Sequence, residues 1–383
     1  MENRSTFTTF ILDGYYVMDK QKHLFIFIFL LLYAGIFILN SLLIAVIYFE
    51  KALHNPMCIF LCNLSCNGIY GSTSLIPHLI FNLTTEEHRI SLTNCLIQIF
   101  CLHTYNIIEL TILAFMSYDR YVAICYPLHY HDMMSTRKLQ VFIYFAWSYP
   151  VISFLIFEVF TIRLTFCKEV LDKTHCANFE VIKLSCTDIT IHSKVGLGLL
   201  AVHVIPQVIM ILFSYAMILH VCIFSSKKCQ NKAIQTCTPH ILAVLNYFIG
   251  VFFEIIQSRL DSRYFPYEFR NFMSIYFMIF PPLLNPVIYG ISVQVIKKHI
   301  QNFFIAFVGK AYTAPGQGGA SLHTMVVLQA YKADLLKDLD LGEGFNLETV
   351  SELRQATHLT LHATKQTARA IGCISCHGEA TVA

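Results

Sequence analysis

The sequence predicts an all-α membrane protein, a seven-transmembrane helix bundle. Of its 383 residues, 56% are hydrophobic and only 13% are charged, and this composition excludes an ordinary soluble domain. A helix of about 20 apolar residues crosses the roughly 30 Å hydrocarbon layer of a membrane. Seven such runs lie near residues 24–48, 56–81, 92–118, 139–162, 195–224, 238–258 and 271–291.

The runs are predicted to be helices because backbone polar groups in lipid must be satisfied within the segment. They are too long, and too irregular in side-chain alternation, for the strands of a membrane barrel. The first run is too long for the apolar core of a secretory signal, and Glu50 and Lys51 follow it instead of small residues. We expect it to be retained as an anchor, so that seven spans place the two chain ends on opposite sides.

Orientation is not decided by the basic residues, because lysine and arginine occur on both sides of the predicted bundle. Two glycosylation sequons, at Asn3 and Asn82, fall on the side of the N-terminus. Glycans are added only in the lumen, and the sequons therefore favour an extracellular N-terminus over residues 1–23. A chance match is the alternative, because Asn63 begins the same pattern inside a predicted helix.

Four of the 14 cysteines fall on the predicted outer side. One opens the third helix and three lie in the long loop between the fourth and fifth helices, which faces the oxidising compartment. We expect disulfides that tie this loop to the third helix, and the sequence alone allows three pairings. The four residues are Cys95, Cys167, Cys176 and Cys186.

A charged pair, Asp119 and Arg120, stands at the inner end of the third run within MSYDRYVAICYPLHY. Burying two charges in lipid is costly, so such a pair faces the interior of a bundle or cytoplasmic water. This placement indicates a conformational switch.

Four motifs occur in order, each at a particular helix: LHNPMCIFLCNLS at the second, MSYDRYVAIC with PLHYHDMM after the third, KAIQTCTPHI at the sixth and PPLLNPVIYG in the seventh. With these motifs the chain resembles an olfactory receptor of the rhodopsin-like seven-helix family, and fish odorant receptors in particular, over residues 10–305. Any one motif alone would be weak. The resemblance implies a rhodopsin-like bundle over 24–291 and a short amphipathic eighth helix over 292–309. It also implies disulfides pairing Cys95 with Cys176 and Cys167 with Cys186.

The resemblance assigns activation roles to residues of the third, fifth and seventh helices. In the family, the arginine pairs with the preceding acid at rest and turns toward the G protein on activation. Tyrosines of the fifth and seventh helices swing inward, and a proline permits the local distortion. The residues at the matching positions are Asp119, Arg120, Tyr121, Tyr215, Asn285, Pro286 and Tyr289.

One departure concerns the second helix, where rhodopsin-like receptors usually carry an aspartate and this chain reads Ser65-Cys66-Asn67-Gly68. Sodium binding there is therefore in doubt. Glu109 lies deep in the third helix and matches an acidic position of the olfactory receptors. An ionisable group at membrane depth is by default functional, so we expect a switch or cation contact beside Asn67 and Asn285. A neutral, hydrogen-bonded structural role is the alternative.

The outer part of the third helix offers no carboxylate to neutralise an amine ligand, which disfavours biogenic amines. An apolar cavity with a few polar contacts suits a small organic ligand. An aromatic or histidine residue on an apolar helix can instead be ordinary core. The predicted lining residues are Leu102, His103, Asn106, His203, Gln207, Tyr247, Phe248, Phe252 and Ile275.

Arg259 ends the sixth predicted span and is a further candidate ligand contact. Its guanidinium could bind a carboxylate with two hydrogen bonds, which would favour an acidic ligand. The alternative is that it extends to the lipid headgroups.

The inner face carries short basic patches, at Arg137 and Lys138, at 227–232, and at Lys297 and Lys298. They fit either anionic membrane lipids or a heterotrimeric G protein. The resemblance favours a small-molecule odorant as ligand and the stimulatory, olfactory G protein that raises cyclic AMP, with the receptor in the plasma membrane of sensory cilia. A receptor for a non-odorant ligand in another tissue is the alternative. A membrane transporter is a less favoured alternative. It would show inverted repeats and more ionisable residues near the midplane, and the sequence shows neither.

No enzyme signature occurs: the chain has no HExxH, no GxSxG and no phosphate-binding glycine loop. Cys373-Ile374-Ser375-Cys376-His377 fits the haem-attachment pattern, but we interpret it as a chance match in a cytoplasmic tail. We therefore expect no enzyme activity, cofactor, metal or nucleic-acid partner.

The composition changes near residue 310, where the family's chains normally end. Residues 314–319 are typical of a flexible linker, and apolar residues then recur at helical spacing in two stretches. We predict an atypical tail over 310–383 with two amphipathic helices. A foreign exon or gene-model fusion is favoured over a regulatory appendage.

Overall fold

The computed structural model describes residues 8–259, 266–292, 296 and 300. Its contacts divide the chain into two compact units, Met1–Lys297 and Lys298–Ala383, and the first unit contains every element below. Predictions for Asn3, for the tail over 310–383 and for nearly all of the helix over 292–309 lie outside the described residues.

Seven long helices form the described part of the fold: α1 (Lys22–Phe49), α2 (Pro56–Thr84), α3 (Leu92–Cys125), α4 (Thr136–Ile162), α5 (Thr190–Ile223), α6 (Lys227–Arg259) and α7 (Tyr267–Ser292). Each predicted run coincides with one helix, and α6 begins well before its run. All but α2 are long and apolar enough to cross a membrane. Helix α2 is long enough but less apolar, because it carries polar residues such as Ser65, Asn67 and Ser72, which are buried inside the bundle.

Local sequence signals set several helix starts. Asn55 precedes α2, its side chain accepts a hydrogen bond from the backbone nitrogen of Cys58 at 3.0 Å, and Pro56 occupies the first helical position. Ser91 caps α3 in the same way through the nitrogen of Asn94 at 3.3 Å. These caps satisfy backbone donors that have no partner within the helix.

A small sheet, which the sequence did not predict, covers one end of the bundle. Strand β1 (Thr9–Leu12) lies between β2 (Arg89–Ser91) and β3 (Val170–Leu171). It pairs antiparallel with β2 and parallel with β3. Its inward residues, Phe10 and Leu12, are fully buried. The N-terminal segment is therefore part of the folded helical domain, and we call this end of the bundle the covered end.

The loop between α4 and α5, residues 163–189, is fixed to its surroundings by two disulfides. Cys95 at the start of α3 is bonded to Cys176, and Cys167 is bonded to Cys186 within the loop. Both pairings implied by the family resemblance are present. Cross-links of this kind stabilise mainly by restricting the unfolded chain.

Hydrogen bonds join the N-terminal segment to this loop and to α7. The nitrogen of Gly14 donates to the carbonyl of Lys173 at 3.3 Å, and the Tyr15 hydroxyl donates to the carbonyl of Thr174 at 2.9 Å. From α7, the Asn271 amide donates to the carbonyl of Gly14 at 3.2 Å. An added Cβ at Gly14 would lie 2.4 Å from the backbone of Lys173 and Thr174, so only glycine fits this contact.

Helices α6 and α7 approach closely at Gly250. A Cβ built on this residue would lie 2.2 Å from the Cβ of Phe277. The absence of a side chain at Gly250 therefore allows the two helices to pack directly against each other.

The predicted glycosylation site Asn82 lies in a buried environment. The residue lies in the last turn of α2, and only 1% of its surface is exposed. Its amide nitrogen, the atom to which a glycan is attached, donates to the carbonyl of His78 at 3.1 Å. A glycan at Asn82 stays a prediction.

Candidate functional site

A cavity of about 240 Å³ lies near the covered end. Its walls come from α3, α4, α5, α6, α7 and the α4–α5 loop, and most of the lining is apolar. A concave, mainly apolar site with a few polar groups is typical of small-molecule binding.

Six predicted lining residues contribute to the cavity wall, and three do not. The six residues that line it lie on α3, α5 and α6: Leu102, His103, Asn106, His203, Gln207 and Tyr247. Arg259 ends α6, and its side chain lies outside the described residues.

Phe248, Phe252 and Ile275 do not line the cavity, because α6 and α7 turn other residues toward it than the sequence analysis expected. Helix α6 presents Tyr247, Val251 and Glu254 to the cavity, at the spacing of one helical face. Phe252 points outward with 66% of its surface exposed, and Phe248 is partly buried outside the lining. In α7, Ile275 packs against the apolar core, while Phe277 and Met278 line the cavity.

Sequence reasoning missed the contribution of the α4–α5 loop. His175, Asn178 and Glu180 line the cavity from this loop, and His192 lines it from the first turn of α5. The disulfide at Cys176 was the available signal, because residues next to a cross-link to α3 must lie near the outer part of that helix.

Polar side chains in the cavity wall are fixed by hydrogen bonds to the helices. The Asn106 amide donates to the carbonyl of Leu102 at 2.8 Å, and the Gln207 amide donates to the hydroxyl of Thr111 at 2.8 Å. The Tyr247 hydroxyl donates to the carbonyl of Asn106 at 3.1 Å. This last bond links α6 to α3 directly at the cavity.

Ion pairs attach the α4–α5 loop to α6 and α7. The Lys173 ammonium lies 3.0 Å from a carboxylate oxygen of Glu254 and donates to the Ser274 hydroxyl at 3.0 Å. Only 4% of Lys173 is exposed. Asp172 accepts from Arg270 at 3.2 Å. The loop is thereby connected to two helices that bound the cavity.

Burial lowers the pKa of the His175 imidazole in this loop to about 3. The positive charge of Lys173 and the nearby His78 contribute to this shift. The side chain is therefore neutral at physiological pH.

Below the cavity, Glu109 is almost fully buried, with 1% of its surface exposed. One carboxylate oxygen accepts from the Asn67 amide at 2.8 Å, and the other accepts from the Asn285 amide at 2.8 Å. The two neighbours expected from the sequence are thus its actual partners. Helices α2, α3 and α7 meet at this carboxylate.

Asp119 and Arg120 lie at the opposite end of the bundle, which we call the Arg120 end. Asp119 is fully buried and forms an ion pair with Arg120. The Tyr130 hydroxyl donates to the other carboxylate oxygen of Asp119 at 2.7 Å. Burial and the negative charge of Asp119 raise the pKa of Tyr130, which keeps this donor protonated.

The remaining predicted switch residues lie on α3, α5 and α7. The Tyr215 hydroxyl contacts His240 of α6, whose other ring nitrogen lies 3.1 Å from the carbonyl of Leu113 on α3. Tyr289 is fully buried, and its hydroxyl has no hydrogen-bond partner within the described residues. Tyr121 packs beside Phe213 of α5. Pro286 lies inside α7, which continues through it.

Comparison with known proteins gives the family. Residues 29–306 match the family model described as Olfactory receptor. Mouse Olfactory receptor 4B13 is 31% identical over 303 residues, covering 79% of this chain and 97% of the relative. Human Olfactory receptor 52D1 is 31% identical over 296 residues, covering 76% of this chain and 92% of the relative. These relatives are mammalian, so the particular resemblance to fish receptors stays a prediction.

Among solved structures, the crystal structure of squid rhodopsin is similar, with a TM-score of 0.59 and 16% identity over 76% of this chain and 87% of that one. This likeness confirms the rhodopsin-like seven-helix fold. The family consists of receptors and not enzymes, in agreement with the expectation from the sequence. The chain is a multi-pass membrane protein that belongs to the olfactory receptor family.

Proposed function

We propose that this odorant receptor binds its ligand in the cavity at the covered end and activates a stimulatory, olfactory type of G protein at the Arg120 end, which raises cyclic AMP. The observation that carries the proposal is the position of both sites on one helix. Helix α3 contributes Leu102 and Asn106 to the cavity and Asp119 and Arg120 to the opposite end.

The covered end is proposed to be extracellular. Its two disulfides suit the oxidising outer compartment. At the Arg120 end, Arg137, Lys138 and Lys227 are exposed. These cations would contact anionic lipid headgroups and the G protein. The receptor would then reside in the plasma membrane, in sensory cilia.

Signalling requires that the ligand bind the active arrangement more tightly than the resting one. Tyr247 donates from α6 to α3 at the cavity, so a ligand that packs on Tyr247 changes the contact between these helices. At the other end, the same relative movement of α6 would separate His240 from Tyr215 and from α3. Arg120 would then leave Asp119 and contact the G protein.

The test is cyclic AMP production in cells that express the intact chain, challenged with a panel of volatile and waterborne odorants. Arg120→Ala is expected to abolish the response, and Asn106→Leu is expected to lower ligand potency at normal surface expression. Phe252→Ala is the matched control, because its side chain faces away from the cavity. An unchanged response in Arg120→Ala would overturn the switch assignment, and unchanged potency in Asn106→Leu would overturn the ligand site.

Glu109 is proposed as a second switch residue, since its carboxylate holds α2, α3 and α7 together. Glu109→Gln keeps the size of the side chain but replaces one acceptor oxygen by a donor. We expect it to shift basal signalling, because one of the two amides loses its partner. Basal and ligand-stimulated cyclic AMP equal to those of the intact chain would assign Glu109 a purely structural role.

A further inference from the structure

The outer part of α5, toward the covered end, packs loosely against the bundle. No residue from 190 to 202 is buried. Further along the helix, buried residues recur at helical spacing: His203, Gln207, Ile211, Ser214 and Ile218. The change lies close to Pro206, which has no backbone N–H and so removes one hydrogen bond of the helix. The outer turns of α5 are therefore held less closely than the rest of the helix.

On the side of α4, side-chain contacts hold these outer turns in place. A ring nitrogen of His192 lies 3.3 Å from the carbonyl of Phe160, and a ring nitrogen of His203 lies 2.9 Å from the Ser153 hydroxyl. The two histidines are about three helical turns apart on α5. The interface between α4 and α5 is therefore closed over this length.

On the side of α6, the two helices separate toward the covered end. Tyr215 of α5 contacts His240 of α6. Leu197 precedes Tyr215 by about five helical turns and so lies on the same face of α5, yet 52% of its surface is exposed. Phe252, about three turns beyond His240 on α6, is 66% exposed. Since a closely packed neighbouring helix would bury such residues, the outer half of the interface between α5 and α6 is open to lipid.

This open stretch adjoins the cavity. Leu200 and Val204 line the cavity from α5, and Val251 lines it from α6. Ala201 lies one turn from Leu197 on α5, is partly buried and ends in a single methyl group. A thin layer of apolar side chains therefore separates the cavity from lipid at this place.

Toward water, by contrast, the cavity is covered in the described part of the chain. The wall on that side is the α4–α5 loop, which a disulfide joins to α3 at Cys95 and an ion pair joins to α6 through Lys173 and Glu254. Strand β1 pairs with β3 of the same loop. A ligand that entered through this loop would have to displace several of these contacts together.

We propose that ligands reach the cavity laterally, from the outer half of the bilayer, by passing between α5 and α6. The inference rests on the proposed function, because it takes the cavity to be the ligand site and the covered end to be extracellular. It also restricts the ligand class to neutral, apolar compounds that dissolve in the membrane, since moving a charge from water into lipid is costly.

The test measures entry into the cavity with thiol reagents, so that it needs no known odorant. Leu200→Cys places a thiol on the cavity wall, and mass spectrometry follows its modification in purified receptor in lipid nanodiscs. One reagent is N-phenylmaleimide, which dissolves in lipid, and the other is a permanently charged trimethylammonium methanethiosulfonate. Relative to its reaction with free cysteine, the apolar reagent is expected to modify this thiol faster than the charged one.

Two further substitutions in the Leu200→Cys background change the width of the opening. Ala201→Trp should slow modification by N-phenylmaleimide about tenfold, which corresponds to a barrier about 1.4 kcal/mol higher. Ile205→Trp, one turn away at an exposed position, is the matched control and should leave the rate unchanged. Phe248→Ala removes a partly buried ring one turn before Phe252 and should raise the rate, whereas Ile249→Ala at its exposed neighbour should not.

The lateral route would be overturned if neither Ala201→Trp nor Phe248→Ala changed the rate, or if the two controls changed it equally. It would also be overturned if the charged reagent, relative to free cysteine, reacted as fast as N-phenylmaleimide. These results would leave the proposed function intact, because the cyclic AMP panel tests that function separately. A silent panel together with the expected labelling rates would overturn the proposed function and keep the lateral route.

Discussion

At the covered end, two disulfides and three short strands join the N-terminal segment to the loops, whereas the described loops at the Arg120 end contain neither. The covered end also attaches its long loop to α6 and α7 through Lys173 and Asp172. The Arg120 end depends on one buried ion pair and on a few side-chain hydrogen bonds around Tyr130 and His240.

We expect this difference to make the covered end important for stability and the Arg120 end important for signalling. Covalent and backbone contacts stabilise the end that contains the cavity, while the described contacts at the opposite end are made by side chains. Changes at the covered end should therefore act on folding, and changes at the Arg120 end should act on basal activity.

The largest expected effect is the loss of the cross-link between α3 and the loop. Cys95→Ser should lower the free energy of unfolding by about 2–5 kcal/mol and remove most receptor from the cell surface. Cys167→Ser is the control, because its disulfide spans 19 residues where the first spans 81, and its entropic contribution is about 1 kcal/mol smaller. Surface immunostaining measures receptor at the cell surface, and thermal denaturation of purified receptor measures stability. Equal losses in Cys95→Ser and Cys167→Ser would contradict the expected order of the two disulfides.

At the Arg120 end, Asp119→Asn should raise basal cyclic AMP about fivefold or more at normal surface expression. Arg120 then loses the charge of a fully buried partner, which destabilises the resting arrangement. Tyr130→Phe removes only one hydrogen bond to Asp119 and should give a smaller rise. A loss of surface expression without a rise in basal signal would show that this end, too, serves stability.

In the N-terminal segment, Gly14→Ala should cost about 1–3 kcal/mol of stability, because the new Cβ collides with the loop backbone. Gly198→Ala in α5 is the matched control, since nothing lies within 4 Å of its added Cβ and alanine favours a helix by up to about 1 kcal/mol. The melting temperatures of the two variants should move in opposite directions. A Gly14→Ala variant as stable as the intact chain would mean that the contact between the N-terminal segment and the loop contributes little to folding.

The smallest effect concerns pH. His175 has a folded-state pKa of about 3, compared with roughly 6.5 in the unfolded chain. Below about pH 6.5 this side chain is therefore protonated in the unfolded chain but remains neutral in the folded chain. Stability should therefore fall as the pH drops, by about 1 kcal/mol at pH 5.5 relative to pH 7.5. The difference in melting temperature between the two pH values should shrink in His175→Gln. His131→Gln, an exposed position at the Arg120 end, should leave the difference unchanged.

The helices could be predicted because each is encoded by one long apolar run. The strands could not, because β1, β2 and β3 have only four, three and two residues, and their pairing joins segments far apart in the chain. Such short segments carry no periodic signal of their own.

The cavity was predictable where a motif fixed the helix phase, as on α3. On α6 the rotation depends on packing against α7, including the contact of Gly250 with Phe277, and this placed Val251 and Glu254 where Phe252 was expected. The loop residues His175 and Asn178 depend on the path that the disulfide and the sheet impose on the chain.

Gly250 also limits how this gene can diversify. Every coding substitution there inserts at least a methyl group between two helices that already touch. Two codons away, Phe252 faces outward and tolerates exchange for any other apolar residue. Duplicated copies of the gene are therefore expected to vary at Phe252 and to retain glycine at position 250.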